Sequence, residues 1–327
     1  MEYVRLGGTG VKVSRLCLGM MSYGMAGWPH HPWVMGEGDA QPFLKGALDT
    51  GINFFDTADF YSLGASEEIL GNFVHANMKR SDAVIATKVC LSMGDGPNDK
   101  GLSRKHILEG IDASLKRLKT DYVDLLYIHR LDADTGFEEI AEALNDVVRS
   151  GRATYIGASS MWTWQFAKLR EMQRARGWAQ FAVMQNFYNL CYREEEREMI
   201  PYCKSEGVAL VPWSPMARGF LAGNTPKDGK GATSRGQTDK ISQGYFGTRQ
   251  DYAVLARVEK LAEKLDVKPA QVALAWVLAK GITSPIIGAT KPHHLSDAVA
   301  ALDIELTDAQ IASLEAPYAP RPVQGHT

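Results

Sequence analysis

The sequence predicts an α/β chain folded as a single (β/α)₈ barrel. Short runs rich in Val, Ile and Leu recur eight times, as strands buried on both faces require. Amphipathic helical stretches separate these runs, and no linker or shift in composition divides the chain. A length of 327 residues fits one such barrel, so residues 1–327 are read as one domain. A doubly wound open sheet uses the same alternation and is the structural rival.

The elements follow in order. Tyr3-Val-Arg-Leu6 and Val11-Lys-Val13 flank Gly7-Gly-Thr-Gly10, which predicts an N-terminal hairpin over 1–14. These glycines lack the Gly-x-Gly-x-x-Gly spacing, and no helix follows them, so they are not a dinucleotide-binding turn. The eight predicted barrel strands are 15–19, 52–56, 83–88, 122–129, 154–158, 182–185, 208–213 and 284–288. Helical spacing of Ile107, Leu108, Ile111, Leu115 and Leu118 predicts a helix that Ser103 caps. Further helices are expected over 39–50, 66–76, 138–150, 162–176, 194–206, 253–265 and 269–280. Two more, near 293–301 and 307–316, follow the last strand, and 302–327 forms a C-terminal helix and tail. The connections 22–38 and 216–250 are long enough to serve a site.

Composition narrows the function. A net charge of −2 offers no general attraction to nucleic acid or an anionic membrane. No apolar run approaches the ~20 residues that span a bilayer. The first residues, Met1-Glu-Tyr-Val-Arg5, do not read as a secretion signal, which predicts a cytoplasmic chain. Cys17, Cys90, Cys191 and Cys203 have no Cys-x-x-Cys spacing and read as reduced thiols. Gly229-Lys-Gly-Ala-Thr-Ser234 lacks the spacing of a phosphate loop. The acidic run Glu194–Glu198 suits the start of a helix and reads as a solvated face.

The chemistry gathers where strands end. Asp56, Lys88 and His129 terminate the second, third and fourth barrel strands, and Tyr61 lies just beyond the second. In a barrel these ends converge on one face. Singly, each residue has an ordinary structural role open to it; together they suit carbonyl reduction, which needs a proton donor for the developing alkoxide. A free tyrosine, with a pKa near 10, is a reluctant acid. A lysine ammonium favours its phenolate, a carboxylate positions the lysine, and a histidine orients the carbonyl. No metal is required.

Gly51-Ile-Asn-Phe-Phe-Asp-Thr-Ala-Asp-x-Tyr61, Ile85-Ala-Thr-Lys88 and Asp124-Leu-Leu-Tyr-Ile-His-Arg130 closely resemble aldo-keto reductase signatures. Segments 155–161, 184–189 and 212–219 resemble the aryl-alcohol dehydrogenase-like branch, with potassium-channel β-subunits as more distant relatives. The resemblance implies Tyr61 as general acid, tuned by Lys88 and Asp56, with His129 orienting the carbonyl. It implies NADP(H) in preference to NAD(H), and a small carbonyl or alcohol substrate. Ser159 and Gln185 would bond the nicotinamide carboxamide, and Trp213 would stack on the ring. Ser214, Pro215, Met216, Arg218, Gly219 and Leu221 would cover the diphosphate, while Gly19, Met20 and Asp56 border the cofactor. Gly288, Thr290, Lys291, His294 and Asp297 would hold the adenosine 2′-phosphate and adenine. His294 and Ala298 depart from the usual residues there, which bears on the choice between NADP and NAD. Tyr23, Trp28, Trp33 and Phe60 are expected to line a substrate pocket for a bulky or aryl group. His30 and His31 lie beside them, either lining the same pocket or forming part of a surface loop. A slow regulatory subunit that holds NADP(H) is the alternative that the channel relatives raise.

Overall fold

Parallel strands close into a cylinder in the computed structural model, which describes residues 1–223 and 234–326. An antiparallel hairpin of β1 (Tyr3–Arg5) and β2 (Lys12–Ser14) comes first. Then follow β3 (Cys17–Gly19), α1 (Glu37–Asp49), β4 (Phe54–Asp56), α2 (Ala65–Asn77), β5 (Val84–Val89), α3 (Arg104–Leu118) and β6 (Val123–Ile128). Next come α4 (Phe137–Arg149), β7 (Ala153–Ser159), α5 (Thr163–Ala175), β8 (Phe181–Gln185), α6 (Met199–Ser205) and β9 (Ala209–Leu210). The chain continues with α7 (Ser234–Thr238), α8 (Lys240–Tyr245), α9 (Arg249–Leu265) and α10 (Pro269–Ala279). It ends with β10 (Ile286–Ile287), α11 (His293–Ala300) and α12 (Asp308–Glu315).

The barrel strands neighbour one another in the order β10-β3-β4-β5-β6-β7-β8-β9, all pairs parallel. The amides of Thr283 and Ser284 donate to the Leu210 carbonyl and that of Ile286 to the Pro212 carbonyl, which joins the last strand to the β9 segment. Sequential order and this closure exclude the doubly wound alternative.

Alternation along each strand sorts residues into two cores. Cys17, Phe54, Val84, Ala86, Leu125, Tyr127, Val183, Ala209 and Val211 fill the barrel interior. Their neighbours Leu18, Phe55, Ile85, Leu126, Ile128 and Met184 belong to the outer core that includes the helices. Leu6 and Val13 of the hairpin join the inner core. Gly7 makes that fit possible: at φ +59°, a Cβ would lie 2.6 Å from the Gly207 carbonyl oxygen and the Ala209 nitrogen. Two residues beyond Phe54, Ala86, Tyr127, Gly157, Val183 and Val211 stand Asp56, Lys88, His129, Ser159, Gln185 and Trp213. The same period that builds the core therefore carries these six to one end of the barrel.

Ser103 caps α3, its hydroxyl accepting from the His106 amide at 3.2 Å. The single helix expected over 194–206 is instead a short turn at Glu194–Glu196 followed by α6. Pro201 lies in the first turn of α6, and its ring would clash with the carbonyl four residues back if the helix began earlier. The first two residues of the acidic run are not part of a solvated face, whereas Glu198 is exposed. Glu194 and Glu195 are buried under the C-terminal tail, where the Tyr318 hydroxyl and the Arg321 amide donate to Glu194 at 2.6 and 2.9 Å. His326 Nε2 lies 3.1 Å from Glu195.

The long connection 216–250 carries α7 and α8, and α9 begins within it, capped reciprocally by Thr248 and Asp251. The Gly229–Thr233 stretch weighed as a phosphate loop lies outside the described residues. All four cysteines are free and buried. Among the described residues no helix is long and apolar enough to cross a membrane.

Candidate active site

The inward residues at the C-terminal strand ends form a bonded chain. Lys88 is fully buried; its ammonium donates to Asp56 Oδ1 at 2.6 Å, to the Thr57 carbonyl at 2.7 Å and to the Tyr61 hydroxyl at 3.2 Å. Gln185 Nε2 donates to the other Asp56 oxygen at 2.7 Å. The Asp56 carboxylate thus fixes two donors, and Lys88 is held against the phenol. The His129 ring meets the Tyr61 ring edge-on, with centroids 5.7 Å apart.

Burial dominates the electrostatics. It works against the Lys88 ammonium, yet Asp56, followed by Tyr61, outweighs it and holds Lys88 above its ordinary value. Burial also raises the Tyr61 phenol, and Lys88 offsets this only in part. The sequence reasoning anticipated a lowered tyrosine; neighbouring charge acts in that direction, but desolvation is larger. Burial, then Lys88 and Arg130, drives His129 well below its usual range, so the imidazole is neutral. Its Nδ1 is buried with no partner among the described residues.

A cavity of about 870 Å³ opens above this chain, within the range of small-molecule sites. Asp56, Tyr61 and His129 reach it, together with Gly19, Ser159, Gln185, Trp213, Ser214, Pro215, Met216, Arg218 and Gly219. Gly288, Thr290, Lys291, His294 and Asp297 also line it. Met20 and Leu221 do not: both are fully buried in the outer core. Lys88 acts from behind the wall, through Tyr61 and Asp56.

Several of these groups already have partners. The Ser159 hydroxyl donates to the Gln185 carbonyl at 2.9 Å, and Lys268 grips both Asp297 oxygens at 2.7 and 2.8 Å. His294 Nδ1 accepts from the Thr290 amide at 3.2 Å, and burial holds that imidazole down to about 4. The Trp213 indole donates to Ser160 at 3.0 Å and stacks on Phe187, with centroids 4.3 Å apart and planes at 16°.

Of the expected substrate-pocket aromatics, Trp33 and Phe60 line the cavity and the other two do not. Tyr23 is fully buried and donates its hydroxyl to the Ala289 carbonyl at 2.6 Å, a contact made across the closure of the barrel. Trp28 packs beneath His30, His31 and Phe60.

His31, weighed as a pocket or surface-loop residue, lines the cavity, which also holds Arg130, Arg235, Lys268, Ile241 and Tyr245, not named as site residues from the sequence. Arg130 had a visible signal, since it follows His129 directly at a strand end. Arg235 and Lys268 had none. Arg218 donates to Asp239 Oδ2 at 2.6 Å and Arg235 to the same oxygen at 3.1 Å, while Arg218 Nη2 is buried without a partner among the described residues. Ser214, Ala217, Arg218 and Gly219 all take positive φ, folding this segment tightly against the cavity.

A family model described as the aldo/keto reductase family matches residues 15–319. A versiconal hemiacetal acetate reductase of Aspergillus parasiticus is 45% identical, over 99% of this chain and 98% of its own length. A candidate aryl-alcohol dehydrogenase of Schizosaccharomyces pombe is also 45% identical, over 99% and 97%. An aldo-keto reductase of Alternaria alternata is 40% identical, over 99% and 94%.

Proposed function

The chain belongs to the aldo/keto reductase family, and we propose that it is a cytoplasmic, NADP(H)-dependent reductase of aldehydes and ketones, aryl or otherwise bulky. The observation that carries this reading is the bond from the buried Lys88 ammonium to the Tyr61 hydroxyl, with Asp56 behind it.

The residues present fit a dinucleotide. Arg218, whose buried Nη2 has no partner among the described residues, suits a diphosphate, as does the turn of positive-φ backbone around it. Trp213, held from behind by Phe187, presents a flat surface for the nicotinamide. Ser159 and Gln185 retain acceptor oxygens for the carboxamide. Thr290 and Lys291 are the candidates for the 2′-phosphate. When bound, NADPH supplies the hydride.

The protein handles the proton. Tyr61 holds it at the hydroxyl, and burial keeps that group protonated at neutral pH. As charge develops on the carbonyl oxygen, Tyr61 releases its proton to it and Lys88 stabilises the phenolate left behind. Neutral His129 can donate one ring N–H to the same oxygen. Oxidation of an alcohol runs these roles backwards.

The test follows NADPH absorbance over a panel of aryl aldehydes and ketones, with wild type and Tyr61→Phe compared. Wild type should consume NADPH. The variant should bind NADPH equally well and react about 10³-fold more slowly. Tight NADPH binding without turnover of any carbonyl would favour a regulatory subunit; absence of binding would overturn the proposal.

A further inference from the structure

We infer that Arg130 is a substrate-recognition residue and selects flat carbonyl compounds that carry a carboxylate. The inference deepens the reductase reading and rests on it.

Arg130 lies in the cavity wall immediately after His129. Its Nη1 donates to the His129 carbonyl at 2.5 Å and lies 3.4 Å from the Ser159 hydroxyl. Its Cζ is 6.0 Å from the centre of the Trp213 ring. These contacts place the guanidinium beside the reacting end of the site, among Tyr61, His129, Ser159 and Trp213.

Five lysine and arginine side chains line the cavity. Arg218 and Arg235 share Asp239, Lys268 holds Asp297, and Lys291 is exposed. Arg130 differs from all four: it is largely shielded from solvent, yet has no carboxylate within 4 Å among the described residues. Burial depresses its basicity, and the groups that oppose this are Tyr61, Tyr245 and Cys90, none of them a carboxylate. A shielded cation without a counter-charge is costly unless a ligand supplies one.

Its donors match such a ligand. A guanidinium offers five N–H groups in a planar fork, and only Nη1 is engaged here. Nε and Nη2 have no partner among the described residues, yet are not sealed off as the orphaned Arg218 Nη2 is. A carboxylate can accept from both. The cofactor does not account for this charge. Its diphosphate is proposed to lie at Arg218, and the carboxamide proposed to lie at Ser159 is neutral. Phe60, Trp33, Leu91 and Tyr245 supply the apolar walls, which suit a flat body between carbonyl and carboxylate.

The experiment compares 4-formylbenzoate with its methyl ester in wild type, Arg130→Met and Arg130→Lys, alongside NADPH affinity by fluorescence. Wild type should favour the acid about tenfold or more in kcat/KM. Arg130→Met should abolish that preference, through KM, by about 10- to 100-fold more for the acid than for the ester. Arg130→Lys should restore only part of it, because the fork is lost. Equal use of acid and ester by wild type would overturn the inference and leave the reductase reading standing. So would a variant that weakens NADPH binding or slows both substrates alike. If no carbonyl is reduced at all, the reductase reading fails, and binding of benzoate against benzamide to the NADP-loaded protein decides. Preference for benzoate that Arg130→Met removes supports an anion site at Arg130; equal binding overturns it.

Discussion

The inner wall and the rim of this cavity treat charge in opposite ways. On the wall, Lys88, Asp56 and Gln185 satisfy one another: the buried ammonium meets the Asp56 carboxylate, and that carboxylate's second oxygen takes an amide. On the rim, Arg218 and Arg235 lean on a single Asp239, and neighbouring His31 is kept neutral. The Asp56–Lys88–Tyr61 chain is balanced before any ligand arrives, as a device that moves one proton must be. The rim carries surplus positive charge, which the proposed diphosphate would complete. The lesson is that one cavity separates its reacting groups from its holding groups by whether their charges already cancel.

Removing Lys88 should break the balance most severely. Lys88→Met leaves the buried Asp56 carboxyl without its cation, an arrangement that costs about 3–5 kcal/mol. Urea unfolding should show that loss, and turnover should vanish. Adding Asp56→Asn to Lys88→Met removes the stranded carboxyl, so most of the stability should return while activity does not. If the double variant is no more stable than the single, the pair is not the balanced unit described.

The rim predicts a different response. Asp239→Asn keeps the cap that Asp239 makes on the Ser242 amide and removes only the charge. Arg218 and Arg235 then face each other uncompensated, and the ligand-free protein should lose about 2 kcal/mol. Saturating NADPH should raise the melting temperature of the variant more than that of wild type, since the ligand now supplies the missing negative charge. An equal rise in both would show that Asp239 is structural and not part of an anion-binding balance.

The wall was largely legible in the sequence; on the rim Arg218 was expected and Arg235 was not. A period of two runs through Phe54 and Asp56, Ala86 and Lys88, Tyr127 and His129, so strand residues reveal which polar groups end up inside. Nothing periodic marks Arg235 or Lys268, which reach the cavity through long-range folding of the chain. Tyr23 shows the same limit, because its partner Ala289 is remote in sequence. Glu194 reads as part of a charge run until Tyr318 and Arg321 fold over it. The tyrosine acidity failed for another reason: sequence names Lys88 as a neighbour of Tyr61 but cannot weigh burial against it.

The smallest effect concerns His31, where the two causes of rim chemistry can be separated. Burial, then Arg218, lowers its pKa from 6.5 to about 4. Between those values the unfolded chain binds a proton that the folded protein refuses, so His31 contributes stability above pH 6.5 and loses it as pH falls towards 4. His31→Phe keeps a flat ring against Trp28 and Trp33 and removes the titration. Between pH 7 and pH 5 the stability difference should therefore move against wild type by about 1 kcal/mol, discounted for partial exposure. Unfolding in urea at both pH values measures it. Repeating the titration with saturating NADPH distinguishes the causes. A bound diphosphate would neutralise Arg218 but leave His31 buried. A pH effect that shrinks on binding would therefore point to the arginine, and one that persists would point to desolvation alone.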